Sequence, residues 1–544
     1  MSANDHHDVH DDEAPGPPIS VPDSGDAGEG GKIKMIVQLV KKCLGVKDIA
    51  AMRLSLPASL LEPIPNLEYW NYLDRPDIFA AINDSEDPFM RMLSVIRFTF
   101  TKDLKFAHGK VCKPYNSVLG EHFRAHWDVT PAPYRVEEDE EESPQGSASA
   151  SIRSGRSSKS STFSKRKSPS TAPTSLAAES LAAQVSSLSL SGNGAAPDSA
   201  ESVRVVFLTE QVSHHPPISA YFASCPSRHV EMSGIDQIAA KVSGTTLRVS
   251  PGQHNKGIFV NLTGGPGEGE HYHITHPVAA VNGILRGSFY VTVSESTIIT
   301  CEGGRPGHKF RTIIEYKEES WLGRAHFLVE GIIHTVYESD ANHCEEWTKV
   351  KHVPKDRIVA VFDGSWRGNV RWKRVGTGSY PSVDHGGVTR STSSSPSPSH
   401  VKLLTPSIPA ASYSKADIGG TSAEDWTPLI DLGSLDVLPK SVRPLEKQHP
   451  RESRKLWENV TNNLVNKEFS EATKEKVAIE QRQRDEAAER KRQGIEFVPR
   501  YFEKDFEMGY STLTADGSAA VEEELKEDSA YCIEGISPKA ELAG

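Results

Sequence analysis

Two adjacent histidines followed by two prolines are the residues of this chain best suited to chemistry. They lie in the run Glu210-Gln211-Val212-Ser213-His214-His215-Pro216-Pro217-Ile218. Imidazole titrates near neutrality, so the pair could hold a phosphate, ligate a metal or carry a proton. The prolines constrain its setting. A residue before proline is pushed out of the helical region, which holds His215 extended. Pro216 and Pro217 cannot donate ladder hydrogen bonds, so the apolar run Val203 to Leu208, which reads as a strand, must end there or lie at an edge. Taken alone, the pair is equally a hydrogen-bonded turn. A zinc site would need Glu210 and His271, His273 or His276 as further ligands. Adjacent residues of an extended segment point to opposite faces, which makes chelation by both histidines awkward. No Ser-His-Asp or Cys-His arrangement stands out, so a hydrolase has no specific support. A second set lies far along the chain. Lys476, Glu480 and Arg484 are spaced four apart and share one helical face, although such a stripe is equally a solvated, salt-bridged surface.

The elements that must position these residues are short strands and helices separated by structureless blocks. The 544 residues are 37% hydrophobic, with Ser, Pro and Gly gathered in blocks, so roughly 350–400 residues remain for one large domain. Residues 1–30 and the acidic tail 511–544 are expected to be disordered. Ser-rich stretches at about 137–201 and 377–424 read as disordered insertions. Lys32 to Leu44 carries Ile33, Ile36, Val37, Val40 and Leu44 at helical spacing among lysines. It is either a helix docked on its own domain or a basic amphipathic flap that also meets anionic membrane. Leu67 to Phe79 and Asp87 to Phe98 have helical periodicity. From Val203 to about Arg374, alternating strands recur: Thr246–Val249, Gly257–Leu262, Ile284–Val293, Phe310–Glu315 and Ala325–His334. The pattern predicts an antiparallel sheet or barrel. Gly264 to Gly269 lacks the Lys-Ser/Thr and helix of a phosphate loop and reads as a hairpin turn. A helix starts in Pro450 to Trp457, a longer charged one runs from Asn466 to Gln493, and Gly494 to Phe502 closes the domain. The net charge of −12 argues against a nucleic-acid partner. No apolar run reaches about 18 residues, no secretory pattern is present, and six scattered cysteines form no C-x-x-C pair. A soluble cytoplasmic protein with reduced thiols is expected.

Glu-Gln-Val-Ser-His-His-Pro-Pro resembles the signature of the oxysterol-binding-protein-related lipid-transfer family. Lys113-Pro114-Tyr115-Asn116-Ser117-Val118-Leu119-Gly120-Glu121 is similar to its second motif, with Ser117 where the family usually has Pro. Lys476, Glu480 and Arg484 match its Lys-x-x-x-Glu-x-x-x-Arg. Leu54 to Pro63, with Leu56, Pro57, Leu60 and Leu61, resembles the segment at its tunnel entrance. The likeness covers about residues 31–510 and is to the family's short members. It implies an α+β, mainly β fold: an incomplete, many-stranded antiparallel β-barrel around a hydrophobic tunnel. An N-terminal lid helix (Ile33, Ile36, Val37, Val40) and C-terminal helices complete it. It implies that Lys113, Asn116, His214, His215, Lys476, Glu480 and Arg484 bind the headgroup of phosphatidylinositol 4-phosphate, with Glu480 fixing the two cations. It further implies a monomer without catalysis, cofactor or metal, exchanging that lipid for a sterol or for phosphatidylserine. Leu60 to Pro63 and Asn116 look like the phosphatidylserine carriers. The expected place is peripheral to intracellular membranes, at endoplasmic reticulum, Golgi or plasma-membrane contacts. A lipid-dependent sensor or scaffold binding the same ligands is the alternative.

Overall fold

A computed structural model describes residues 19–20, 29–50, 52, 54–108, 113–134, 201–244, 246–283, 290–307, 309–317, 326–337, 344–375, 426–527 and 532–533. The two Ser-rich stretches lie outside the described residues, apart from Glu201. Everything below belongs to the unit formed by residues 1–134 and 202–544.

Alternation in the sequence becomes one antiparallel sheet of 14 strands. From one edge it runs Thr427–Asp431, Asn369–Arg374, Ile358–Ser365, Leu328–Val336, Lys309–Tyr316, Ser296–Gly303 and Glu270–Ile274. It continues through Ile258–Leu262, Val230–Asp236, Pro217–Cys225, Val203–His214, His122–Val129, Ser441–Val442 and Cys532–Ile533. The two edge strands do not pair with each other, so the barrel is incomplete. A second sheet of four strands, ordered Tyr290–Ser294, Val278–Asn282, Thr246–Pro251 and Ile238–Ser243, stands beside it. The glycine-rich run 264–269 is the turn between Ile258–Leu262 and Glu270–Ile274, as its composition predicts. The Val203 strand runs on through His214, and the chain turns at His215 and Pro216 into Pro217–Cys225.

The N-terminal helix α1, Glu29–Cys43, packs on the small sheet. Cys43 and Ile49 are buried with Ala240 and Val242, and Leu39, Val40 and Val46 close the cluster. The backbone fastens its end: Ile49 N donates to Ala240 O at 2.7 Å, and Ala240 N donates to Asp48 Oδ1 at 2.9 Å. Lys34, Lys41 and Lys42 stay exposed. Ile19–Ser20, within the span expected to be disordered, pairs in parallel with Leu54–Ser55 through backbone bonds.

Two expectations are corrected. The helix expected over Leu67 to Phe79 is two short ones, Asn66–Tyr69 and Pro76–Ala80. Pro76 drives Arg75 out of the helical region and opens the second helix at its first position. Helix α2, Pro88–Thr101, follows, capped by the Asp87 carboxylate on Phe89 N at 2.8 Å.

The tail after residue 511 is the second correction. The long charged helix α3 spans Phe469–Gln493, and beyond it Ala515–Lys526 forms helix α4. Thr514 caps α4 by accepting from Gly517 N at 3.0 Å, and Ala520 packs on Leu208, Val212 and Tyr501. Two of its acidic residues, Glu523 and Glu524, join an ion network against the sheet. Glu523 receives Arg124 at 2.7 Å and Arg443 at 2.8 Å. Glu524 receives Arg443 at 2.7 Å and His126 at 2.9 Å. Glu452 completes the network on Arg124 at 2.8 Å. Against the opposing effect of burial, the two guanidinium groups hold the Glu523 carboxyl down to about 2. Acidic composition reads as solvated when the balancing cations lie far away in sequence.

Candidate functional site

A cavity of about 1330 Å³ lies between α1, the sheets and α3. That exceeds the usual small-molecule pocket of about 300–1,000 Å³ and suits a lipid. Apolar side chains from α1 (Ile36, Leu39, Val40), the entrance (Leu56, Leu60, Leu61) and the small sheet (Val242, Val249, Val281) line much of it.

The histidine pair reaches this cavity through a break in sheet register. Pairing between Val203–His214 and Pro217–Cys225 shifts between Gln211 and Ser213. Such a bulge re-aims the side chains beyond it. Gln211 Nε2 donates to Ser213 O at 2.7 Å, and Ser213 Oγ donates to Pro216 O at 2.8 Å, which locks the turn. The rings of His214 and His215 sit edge to face at 4.4 Å, and both line the cavity. The expectation that they point apart fails, because the turn interrupts the extended backbone on which it rested. Among the described residues, no group of three or more His, Cys, Asp or Glu side chains could hold a metal ion.

The other motifs converge on the same strand. Gly120 N donates to Gln211 O at 2.9 Å, and Gln211 N to Glu121 O at 2.8 Å, so the Leu-Gly-Glu segment is laid against the histidine strand. Gly120 has φ +75°, and an added Cβ would meet the Phe497 ring at 3.3 Å, which favours glycine there. The Glu210 carboxylate accepts from Arg500 N at 2.8 Å and Tyr501 N at 2.7 Å, binding the closing segment to the motif. Lys113 Nζ donates to Asn116 Oδ1 at 2.7 Å and Pro114 O at 2.9 Å, and both residues line the cavity. The Ser117 hydroxyl, in the place of the expected proline, is buried without a hydrogen-bond partner.

Glu121 is the buried pivot of this junction. It accepts from Val118 N and Trp457 Nε1, each at 3.0 Å, and from Ser453 Oγ at 2.7 Å. Burial outweighs those bonds and pushes its carboxyl up to about 7. A raised carboxyl favours the folded state at low pH and loses that contribution as pH rises through about 7. Glu121→Gln is therefore expected to gain melting temperature relative to the parent between pH 6 and pH 8. An unchanged difference across that range would contradict this.

Helix α3 presents Glu480, Arg484 and Lys491 to the cavity, with Ala487 and Ala488 between them. Lys476 is the exception among the expected headgroup residues. It lies one turn back, buried and off the lining, with its ammonium 2.6 Å from Glu480 Oε1. Arg484 is exposed and donates to Gln481 Oε1 at 2.8 Å. Gln483 and Lys491 also line the cavity and were not expected, although spacings of three and eleven from Glu480 continue the same face. Of the expected lid and entrance residues, Ile36, Val40, Leu56, Leu60 and Leu61 line the cavity. Val37 is half-buried beside it, Pro57 caps the one-turn helix Ala58–Leu60, and the side chain of Ile33 is outside the described residues. No helix among the described residues is long and apolar enough to cross a membrane.

The comparisons agree with this geometry. The sequence profile of the oxysterol-binding protein family matches residues 35–463. Oxysterol-binding protein-like protein 1 of Schizosaccharomyces pombe is 36% identical over 536 residues, covering 92% of each chain. Human oxysterol-binding protein-related protein 9 is 25% identical over 506 residues, which cover 92% of this chain but 50% of that protein. The fold is similar to the Osh1 ORD domain in complex with ergosterol, with a TM-score of 0.52, 18% identity, and coverage of 89% of this chain and 88% of that one. The chain belongs to the oxysterol-binding protein family, whose members are lipid-binding and lipid-transfer proteins and not enzymes.

Proposed function

We propose that this protein extracts phosphatidylinositol 4-phosphate into its cavity and exchanges it for a second lipid between membranes. The observation that carries this reading is the meeting of two imidazoles, Lys113, Asn116 and Arg484 on the wall of one large, largely apolar cavity. A phosphomonoester carries roughly −1.5 to −2 charge near pH 7. Bidentate Arg and point-charge Lys suit such a group, and imidazoles beside it are driven toward protonation. Glu480, held by Lys476, lies on the same wall and offers an acceptor to a ring hydroxyl. The apolar lining supplies the rest, since about 25 cal/mol is at stake per Å² of acyl surface removed from water.

A sterol is the favoured second lipid, because similarly folded Osh1 ORD structures hold ergosterol and cholesterol. Phosphatidylserine is the second reading, favoured by Leu60, Leu61, Glu62 and Asn116 on the cavity wall. The expected place of action is the cytoplasmic face of intracellular membranes, with exposed Lys34, Lys41 and Lys42 of α1 toward anionic lipid. Replacing His214 and His215 by Ala is expected to abolish extraction of phosphatidylinositol 4-phosphate from vesicles while sparing the second lipid; equal loss of both would overturn the assignment. Residues 143–200 are proposed as an insertion dispensable to the fold. Their deletion is expected to leave melting and extraction unchanged, and a collapse in thermal stability would show that the stretch carries structure.

A further inference from the structure

Helix α3 ends in a tight hydrogen-bonded turn. Gly494, at φ +64°, donates its N–H to Lys491 O at 3.2 Å, and Ile495 N donates to Arg490 O at 3.0 Å. A helix end of this form ordinarily packs the apolar residue after the glycine onto an apolar side chain of the last turn. Here the last turn is Arg490, Lys491 and Arg492, preceded by Glu489, and offers no such partner. Ile495 is left 55% exposed. Val498 is 79% exposed, more than any other large apolar side chain among the described residues.

The rest of the loop is fastened down. Phe497 is half-buried, with its ring 3.3 Å from a Cβ added at Gly120 and the Arg490 guanidinium 5.7 Å from its centroid. Pro499 is buried, and the backbone after it is held by Glu210 through Arg500 N and Tyr501 N. An anchored loop therefore holds two large apolar side chains in water, and exposed apolar groups rimmed by polar ones mark interaction sites.

The loop stands where the cavity meets solvent. Asn116, Arg484, Ala488 and Lys491 line the cavity and are also exposed. Ile495 follows Lys491 by about one helical turn. Its charges suit an anionic surface. Glu489 is paired with Arg492 at 2.5 Å and Glu496 with Lys504, while Arg490 has no carboxylate partner among the described residues. A protein partner would need about 800 Å² per side, far more than two side chains at a loop tip supply. A bilayer accepts single apolar side chains at its headgroup boundary while neighbouring cations stay at its surface. We propose that Ile495 and Val498, flanked by Arg490 and Lys491, form a docking loop that seats the cavity opening on an anionic bilayer. This rests on the reading that lipid enters the cavity from a membrane, and it names the surface that meets that membrane.

The test uses the full chain and phosphatidylcholine vesicles carrying phosphatidylinositol 4-phosphate, with and without phosphatidylserine. Ile495→Ser combined with Val498→Ser should keep the melting temperature and the affinity for short-chain phosphatidylinositol 4-phosphate free in solution. The same variant should lose vesicle binding and extraction at least about tenfold, because the apolar area that entered the bilayer is gone. Vesicle binding by the unmodified protein should rise with phosphatidylserine and fall with added salt. With Val498 replaced by the photo-crosslinker benzoylphenylalanine, the chain should attach to vesicle lipid. Unchanged extraction by the double variant would overturn the docking loop. So would crosslinks to a second copy of the chain in place of lipid, or vesicle binding indifferent to both phosphatidylserine and salt. Equal loss of short-chain binding would also overturn it, by placing the two residues in the headgroup site. Lipid crosslinks from a chain that binds no short-chain phosphoinositide would support the loop and overturn the exchange reading.

Discussion

Arg484→Glu is expected to lower extraction of phosphatidylinositol 4-phosphate at least about 100-fold while leaving the melting temperature unchanged. A hydrogen bond to a charged group contributes about 1.5–3 kcal/mol, and a reversed charge adds repulsion on the same wall. Each 1.4 kcal/mol is about tenfold in affinity, so the combined loss exceeds two decades. The residue is suited to this test because its side chain is exposed and its hydrogen bonds go to Gln481, within the same helix. Lys476 would give a blurred answer. It is 3% exposed, and its removal would leave Glu480 without its buried partner. Normal extraction by Arg484→Glu would mean that the phosphate is held elsewhere.

Glu524→Ala is expected to destabilise the fold by about 3–5 kcal/mol, the cost of leaving a buried charge without its partner. Glu524 is 1% exposed and is bonded to both Arg443 and His126. In a domain of this size that corresponds to a fall in melting temperature on the order of 4–7 °C. Glu522→Ala on the same helix is the control. Its partner Lys526 is exposed, and surface pairs contribute about 0–1 kcal/mol. Equal effects from the two substitutions would show that α4 is held by its apolar face and not by the buried ion network.

Local pattern carried much of the fold. Alternation marked the strands Thr246–Pro251, Ile258–Leu262, Lys309–Tyr316 and Leu328–Val336 but not Glu270–Ile274, Val278–Asn282 or Ser296–Gly303, and residues 284–289 of the strand expected over 284–293 lie outside the described residues. Two of the three motifs are brought together by pairing that their own residues create, Gly120 with Gln211. What was illegible depends on partners distant in sequence. An acidic stretch after residue 511 looks solvated until Arg124 and Arg443 are placed against it. The opposed faces expected of His214 and His215 assumed an extended chain, which the turn at Pro216 interrupts. Lys476 shares a stripe with Arg484, but spacing cannot tell which turn of the stripe reaches the cavity. The helix break at Pro76 was legible and was outweighed by the apolar periodicity around it.

The most direct test of lipid exchange is native mass spectrometry of the full chain after incubation with mixed vesicles. The expected result is one bound neutral lipid or phosphatidylserine per protein, displaced when phosphatidylinositol 4-phosphate is added and restored when it is withdrawn. Simultaneous binding of both lipids, or no lipid bound under either condition, would contradict exchange through a single cavity.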